Sequence, residues 1–174
     1  MASHPELLNL SPRAARTRAA LIAAGFELLV ERPIDAIAID EVVARAGVAK
    51  GSFFNHFPDK QVFAEAIASE VRVELEELAT RANADVTDPV MRIAGGMRVA
   101  ADFARNNPKR TAVLLRSNAS STARDHPLNQ GLVHDIRAAV DAGLVRPEAE
   151  GSGVLYWLGL CQILMANLVE RRLE

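Results

Sequence analysis

The chain is poor in the features that mark secreted proteins. It contains one cysteine, Cys161, in 174 residues, so an internal disulfide framework is excluded and a reducing cytoplasm is expected. Cys161 lies in an apolar segment, where a buried structural thiol is favoured over a redox sensor. Residues 1–12 lack a cationic start followed by an apolar run, so we expect a mobile tail rather than a signal peptide.

Catalytic and metal-binding motifs are also missing. There is no Gly-x-Ser-x-Gly elbow, no phosphate-cradling glycine loop and no His-Glu-x-x-His pair. A nucleophile–base set can be imagined, but no motif supports it; it would draw on His56, His126, His134, Ser117, Ser120, Ser121 and Asp125. We therefore expect no enzyme, no metal and no cofactor.

Overall basic charge is absent as well, since the formal net charge is −2. The protein is therefore not a basic coat for nucleic acid. Basic character is local: Arg13, Arg16 and Arg18 precede Glu27, the first acidic residue of the first predicted helix. These arginines could attract phosphates or could simply form a solvated helix end, and the sequence leaves both interpretations open.

The most informative segment is residues 36–60. Apolar residues at helical spacing predict a short helix, which Gly47 ends: Ile39, Val42, Val43 and Ala46. After two residues a second helix begins at Lys50 and runs to His56. Two short helices joined by a tight turn form a helix-turn-helix, whose second helix can enter a DNA major groove. The simpler alternative is a helical hairpin whose polar face is only solvated.

The second helix carries the expected DNA contacts. Lys50 can reach a guanine edge, Ser52 a base or a phosphate, and Gly51 allows a close approach to the groove. Phe53 and Phe57 are expected to anchor the opposite side in the core. The DNA-binding residues predicted from the pattern alone are Lys50, Gly51, Ser52, Asn55, His56, Lys60, Arg13 and Arg16.

The region from Arg13 to Lys60 resembles the DNA-binding domain of the TetR (tetracycline-repressor-like) family. The resemblance is carried by Ile22, Gly25-Phe26-Glu27-Leu28-Leu29, Val42-Val43-Ala44-Arg45-Ala46-Gly47-Val48, Lys50-Gly51-Ser52-Phe53-Phe54-Asn55-His56-Phe57 and Asp59-Lys60. It implies base or nearby phosphate contacts by Lys50, Gly51, Ser52 and Phe54. It implies phosphate-backbone contacts by Asn55, His56 and Lys60.

Three residues depart from the family pattern. Phe54 replaces the usual Tyr, although its ring can still touch a thymine methyl group. Ala49 replaces the Ser or Thr that usually caps the recognition helix. Asp40, in a stretch that is often Thr-rich, suits a helix start but repels phosphate. These changes affect affinity and sequence preference rather than the class of protein.

The pattern of the whole chain predicts an all-α fold without strands or repeats. Expected domains are the tail (1–12), a three-helix DNA-binding head (13–58) and a helical regulatory and dimerisation body (59–174). The predicted helices cover about Ser11–Val30, the two of the helix-turn-helix, one from Pro58-Asp59, one after Thr87-Asp88-Pro89, Pro108–Arg116, Leu128–Ala142 and Gly153–Val169.

The last predicted helix, Gly153–Val169, is apolar on nearly every side. It is shorter than the roughly 20 residues of a bilayer span, and Gln162 and Asn167 interrupt it, so no membrane partner is expected. One face is expected to pack on a second copy of the chain, together with the preceding helix. The predicted dimer contacts are Leu132, Ile136, Val140, Leu155, Leu158 and Gln162.

A small-molecule pocket in the body is implied by the resemblance alone. The candidate pocket residues are Met97, Phe103, Leu115, Tyr156 and Trp157, with Met91, Ile93, Leu114 and Met165 nearby in the pattern. Met and aromatic residues at this spacing also suit a plain core. Arg116, Asn118 or His134 could orient a polar group of the ligand. Cationic residues are not concentrated in this half of the chain, so the sequence does not specifically indicate an anionic ligand.

The resemblance implies a homodimer that places two recognition helices in successive major grooves of double-stranded operator DNA. A ligand preferring another spacing of the heads would release the DNA. Repression relieved by ligand is the preferred interpretation, and activation is the alternative. The helix that follows Asp59 would act as the lever. A helical adaptor that binds only protein is the alternative.

Overall fold

The computed structural model describes residues 11–117 and 129–173, and these residues form eight helices and no strand. The predicted all-α class is confirmed. The helices are α1 (Pro12–Glu31), α2 (Ile39–Ala46), α3 (Lys50–Phe54), α4 (Lys60–Ala82), α5 (Pro89–Asn106), α6 (Pro108–Arg116), α7 (Gln130–Asp141) and α8 (Ala149–Leu173), with a 3₁₀ turn at Ile34–Ala36.

Local signals place most of the helix ends. The Asp59 carboxylate accepts hydrogen bonds from the first backbone N–H groups of α4, and Asp88 does the same for α5. Gly47 directly follows α2, and Gly143 lies two residues after the end of α7. Both adopt left-handed backbone conformations, with φ of 67° and 68°. A residue with a Cβ is strained there, so glycine sets both stops.

Two predicted boundaries in the N-terminal region were wrong. Ser11 and Pro12 begin α1, because the Ser11 side chain accepts from the Ala14 N–H, and only residues 1–10 of the expected tail lie outside the described range. Helix α3 ends at Phe54 instead of His56. The backbone N–H groups of His56 and Phe57 both donate to the Phe53 carbonyl there, in a turn that directs Phe57 inward.

Helix α8 is also longer than the predicted apolar segment. A stretch of 22 residues, Ala149–Glu170, has the length and hydropathy of a bilayer span, so the argument from insufficient length was wrong. One side of this helix nevertheless packs on α5, α6 and α7. Its remaining apolar side is therefore a single face rather than a complete lipid-facing surface.

Three phenylalanine rings form the centre of the N-terminal core. Phe53 of α3, Phe57 beyond it and Phe63 of α4 are all buried, with ring centroids 4.9–5.7 Å apart and tilted or edge-to-face planes. Such geometry places the positive ring edges against the negative faces. The same continuous core contains Phe103 of α5 and Val113 of α6, so residues on both sides of position 58 share it.

The body consists of α5, α6, α7 and α8 against the outer half of α4. Two smaller apolar clusters fill it. One contains Ala100, Ala112 and Met165, and the other contains Ile136 and Val154.

We predict that Gly25→Ala destabilises the fold. A Cβ on Gly25 would lie 2.3 Å from Phe63 Cζ and 2.6 Å from Ile67 Cδ1, so the Phe63 ring and the Ile67 side chain would have to move. Overpacking of this kind typically costs about 1–3 kcal/mol in unfolding free energy. Chemical denaturation followed by circular dichroism measures the change.

The matched control is Gly151→Ala, because no atom lies within 4 Å of a Cβ at that helical position. This substitution should leave stability unchanged or raise it, since alanine favours helix. Equal stability of the two variants would contradict the proposed role of Gly25.

Candidate nucleic-acid interface and internal cavity

Helix α3 presents its polar side to solvent because Phe53 fixes its apolar side in the core. Lys50, Gly51 and Asn55 are exposed, and the Phe54 ring is 51% exposed although it leans edge-on against Phe53. A Cβ on Gly51 would meet no atom within 4 Å, so the fold does not require glycine there. The surface is thus free to approach a groove closely.

The first cation of this surface is already paired. Lys50 Nζ lies 2.7 Å from Asp40 Oδ1, at the start of α2, and both side chains are largely exposed. The sequence indicated that Asp40 repels phosphate, but not that it engages Lys50. Any anion that binds this ammonium group must therefore first displace Asp40.

The end of α3 meets the first helix through an arginine that the predicted set omitted. The Arg18 guanidinium lies 5.2 Å from the centre of the Phe57 ring. Partial burial, and then the positive charge of Arg18, lower the pKa of the adjacent His56 below its ordinary value. Arg18 belongs to the sequence's local basic group, so its composition signal was present, but its packing on Phe57 was not readable.

The other predicted phosphate contacts differ in how free they are. Lys60 Nζ donates to the backbone carbonyls of Asp35 at 3.2 Å and Ile37 at 3.0 Å, so it holds the 3₁₀ turn against α4. This leaves one of its three donors for DNA. Arg13 and Arg16 are exposed, and their side chains make no hydrogen bond or ion pair within the described part of the chain.

Ser52 is half-buried near the start of α3, and Ala49 provides no side-chain cap. The expected loss of a cap at this helix is thus seen. The structure brings Lys50, Gly51, Ser52, Phe54, Asn55 and His56 together on one helix and the turn that follows it.

A second feature is a cavity of about 440 Å³ inside the body. Helices α4 to α8 all contribute to its wall, which is mainly apolar. Its volume is within the usual range for small-molecule sites. Polar groups enter at a few positions, namely Arg72, Glu76, Thr80, Asn83, Arg92, Asn129, His134, Asp135 and Gln162.

Only part of the predicted pocket lines this cavity. Leu115 and Trp157 do, and so do Ile93, Leu114, Met165 and His134. The Trp157 indole N–H donates to the Ile93 carbonyl at 3.1 Å, which fixes the ring on the wall.

The remaining pocket assignments need correction. Phe103 is 3% exposed and belongs to the N-terminal core, because its side of α5 faces α1 and α4. Tyr156 is 70% exposed on the outer side of α8. Met97 packs in the Ala100 cluster without reaching the cavity, and Met91 is exposed. Arg116 donates to the Val30 carbonyl of α1, and Asn118 lies outside the described residues.

Several cavity residues had no clear sequence signal. Arg72 and Glu76 directly follow Val71 and Leu75 of the apolar stripe on α4, so they lie at its edge. Cys161 is buried as expected but also lines the cavity. Burial, the largest effect, raises the pKa of its thiol to about 11, so the group is a neutral thiol at physiological pH.

The predicted dimer contacts divide between interior and surface. Ile136 and Leu158 are buried against Val154, so neither is available to a second chain. Leu132 and Gln162 line the cavity, and Val140 is half-buried on α7. Leu155 is exposed as expected.

An apolar stripe that the prediction missed runs along the outer side of α8. Tyr156, Leu160 and Ile163 are each more than half exposed and repeat at helical spacing, with Leu155 beside them. An exposed apolar stripe is typical of an interaction site.

The imagined catalytic set does not assemble among the described residues. His56 lies beside α3 in the head, whereas His134 lines the cavity of the body. Ser120, Ser121, Asp125 and His126 lie outside the described residues. Among the described histidines, cysteines and acidic residues, no group of three or more could hold a metal ion.

Comparison with protein families identifies the N-terminal region. Residues 21–67 match the model for bacterial regulatory proteins of the tetR family. The match covers most of α1, both short helices and the first part of α4.

Solved structures share the fold over nearly the whole chain. AibR in complex with isovaleryl coenzyme A and operator DNA has a TM-score of 0.61 and 21% identity, over 87% of this chain and 86% of that one. A protein assigned to the tetR family from Shewanella sp. PV-4 has a TM-score of 0.61 and 17% identity, over 89% and 97%. RolR in complex with resorcinol has a TM-score of 0.58 and 20% identity, over 91% and 88%.

We predict that Asp40→Asn strengthens DNA binding by up to about fivefold, because Lys50 no longer has to give up its ion pair with Asp40 before it contacts DNA. Lys50→Ala should weaken binding by about tenfold or more and reduce its salt dependence. Fluorescence anisotropy with a labelled duplex measures both changes.

Glu148→Gln is the control, because it removes the same charge from an exposed position between α7 and α8. An equal gain from Asp40→Asn and Glu148→Gln would show that net charge alone is responsible.

Proposed function

We propose that this chain is a DNA-binding transcriptional regulator of the TetR family, whose model it matches over residues 21–67, and that it acts as a homodimeric repressor released from its operator by a small molecule. The observation that carries the proposal is the α3 surface. Lys50 and Gly51 are exposed and Ser52 is half-buried in a turn that stands on buried phenylalanine rings, inside the region that matches the family model.

DNA recognition would divide between two groups of residues. Lys50, Gly51, Ser52 and Phe54 would face base edges or nearby phosphates, while Asn55 and His56 would contact the backbone. Arg18 lies against the end of α3 and adds a cation next to this backbone surface. Arg13 and Arg16, with exposed side chains, would contribute sequence-independent attraction.

Dimerisation is supported by the outer side of α8. Tyr156, Leu160 and Ile163 would pack against the same stripe of a second copy, since a face that matches itself produces a two-fold interface. Val140 and Leu155 remain candidate contacts. Burying the stripe between two chains would also remove it from water.

Release by a ligand is supported by where the cavity lies. Its wall includes Leu75 and Glu76 of α4 and Leu114 and Leu115 of α6. Helix α4 begins in the phenylalanine core, and Arg116 of α6 binds the Val30 carbonyl of α1. A ligand that prefers a different position of these helices would lower DNA affinity by its difference in affinity for the two states.

Two of the solved structures with this fold contain small molecules, isovaleryl coenzyme A in AibR and resorcinol in RolR, and the AibR complex also contains operator DNA. These observations concern those proteins. They support the assignment of both an operator and a small-molecule effector to this chain. As a DNA-reading protein it would act in the cytoplasm.

We expect the protein to bind the duplex upstream of its own gene in preference to a scrambled duplex of equal length. Because phosphate contacts release counterions, affinity for both should fall as salt rises, and the preference should persist. Anisotropy titrations across a salt series measure this. Weak and equal binding to both duplexes at low salt would argue against autoregulation, and equal binding across the chromosomal promoters would argue against operator recognition.

We also expect the Leu160→Glu/Ile163→Glu variant to be a folded monomer. Four carboxylates facing one another across the two-fold interface would oppose pairing, whereas an isolated helix face tolerates them. Light scattering gives the mass, circular dichroism the helicity, and operator affinity should fall by about a hundredfold or more because avidity is lost.

Met91→Glu adds one such carboxylate per chain, half the charge of the double variant, at an exposed apolar residue of α5 and should remain dimeric. A dimeric Leu160→Glu/Ile163→Glu variant would contradict the proposed interface.

A further inference from the structure

The charged groups of the cavity differ in whether their hydrogen bonds are already made. Arg92 Nε lies 2.7 Å from Asp135 Oδ1, and its guanidinium also donates to the carbonyls of Val86 and Thr87. This pair is internally satisfied and electrically neutral. The pair forms part of the cavity wall, but its hydrogen bonds are already made within the protein. A ligand therefore gains little by contacting it.

Arg72 and Glu76 are different. They lie one turn apart on α4. Cys161 of α8 lines the same cavity and interacts electrostatically with both charges. Arg72 donates through a terminal nitrogen to Asn129, but its buried Nε has no hydrogen-bond partner. Among all residues that the structure describes, none donates a hydrogen bond to Glu76 or forms an ion pair with it.

Burial makes this lack of hydrogen-bond partners more costly. It lowers the pKa of Arg72 and raises the pKa of Glu76, in each case as the largest effect, because both charged forms lose water. Glu76 is half-buried, and a half-buried carboxylate without a hydrogen-bond donor costs free energy that the hydroxyl of a correctly placed guest recovers. The surrounding wall is apolar, with Leu75, Leu114 and Trp157 among its residues.

We propose that the cavity binds an uncharged, largely apolar molecule whose hydroxyl-bearing head accepts a hydrogen bond from the Arg72 guanidinium and donates one to Glu76. The proposal rests on the proposed function, in which this cavity is the effector site. Arg72 and Glu76 have opposite charges, so a hydroxyl satisfies both. A carboxylate would be repelled by Glu76, and an ammonium group by Arg72.

Three probes with one tail and different heads test the ligand class: n-octanol, octanoate and octylammonium. Trp157 is the chain's only tryptophan and lines the cavity, so its fluorescence reports occupancy directly. Octanol should bind at least about tenfold more tightly than either charged probe. Its affinity should fall in both Arg72→Met and Glu76→Gln.

The two variants should also change head preference in opposite directions. Glu76→Gln leaves Arg72 unopposed, so octanoate should gain about tenfold relative to octanol. Arg72→Met leaves Glu76 unopposed, so octylammonium should gain instead. Glu77→Gln is the control, because Glu77 is exposed, pairs with Arg81 and lies outside the cavity wall.

Octanoate or octylammonium binding wild type as tightly as octanol would overturn the proposal, as would no saturable binding of any probe. Unchanged head preference in both variants would overturn it too. Operator anisotropy in the same samples separates the two levels. Octanol binding without DNA release refutes the effector role alone, whereas octanoate preference with DNA release refutes the ligand class alone.

Discussion

The packing of three phenylalanine rings against a glycine is the constraint on which the rest of the structure depends. Phe53 and Phe57 bracket the end of the recognition helix, and Phe63 joins them from α4. Gly25 leaves the space that Phe63 occupies. A helix of five residues cannot be stable by itself, so tertiary packing must hold α3 in place. The orientation of the exposed side chains of α3 follows from this cluster.

The same packing connects the DNA-binding head to the cavity. Phe103 and Val113 belong to the core that contains the phenylalanine cluster, and neighbouring residues on α6 line the cavity. The contact of Arg116 with α1 adds a polar link. Protein interiors do not deform gradually, so in the proposed function a guest between α4 and α6 would shift helices as units. The proposed regulator would need no flexible connection between cavity and DNA-binding head, because α4 lines the cavity and also belongs to the core of the head.

Local rules made much of the fold readable from sequence, and tertiary packing decided the rest. Gly47 and Asp88 set helix ends through backbone strain and capping, which depend on neighbouring residues alone. The α3 surface was readable for a similar reason, since a short motif contains it. The cavity depends on the rotation of five helices about their axes. An apolar residue such as Phe103 therefore gave the same pattern as Trp157, although only Trp157 reaches the cavity. Arg72, at the edge of a stripe, gave no sign of facing inward.

The central claim is that two copies of the chain read DNA together, and selection of bound duplexes from a random library tests it most directly. The account predicts an inverted repeat whose half-site centres lie one helical turn apart, about 34 Å, or a multiple of that distance, because the dimer fixes the spacing of its two α3 helices. Enrichment of a single half-site without a partner, or of no sequence at all, would contradict it.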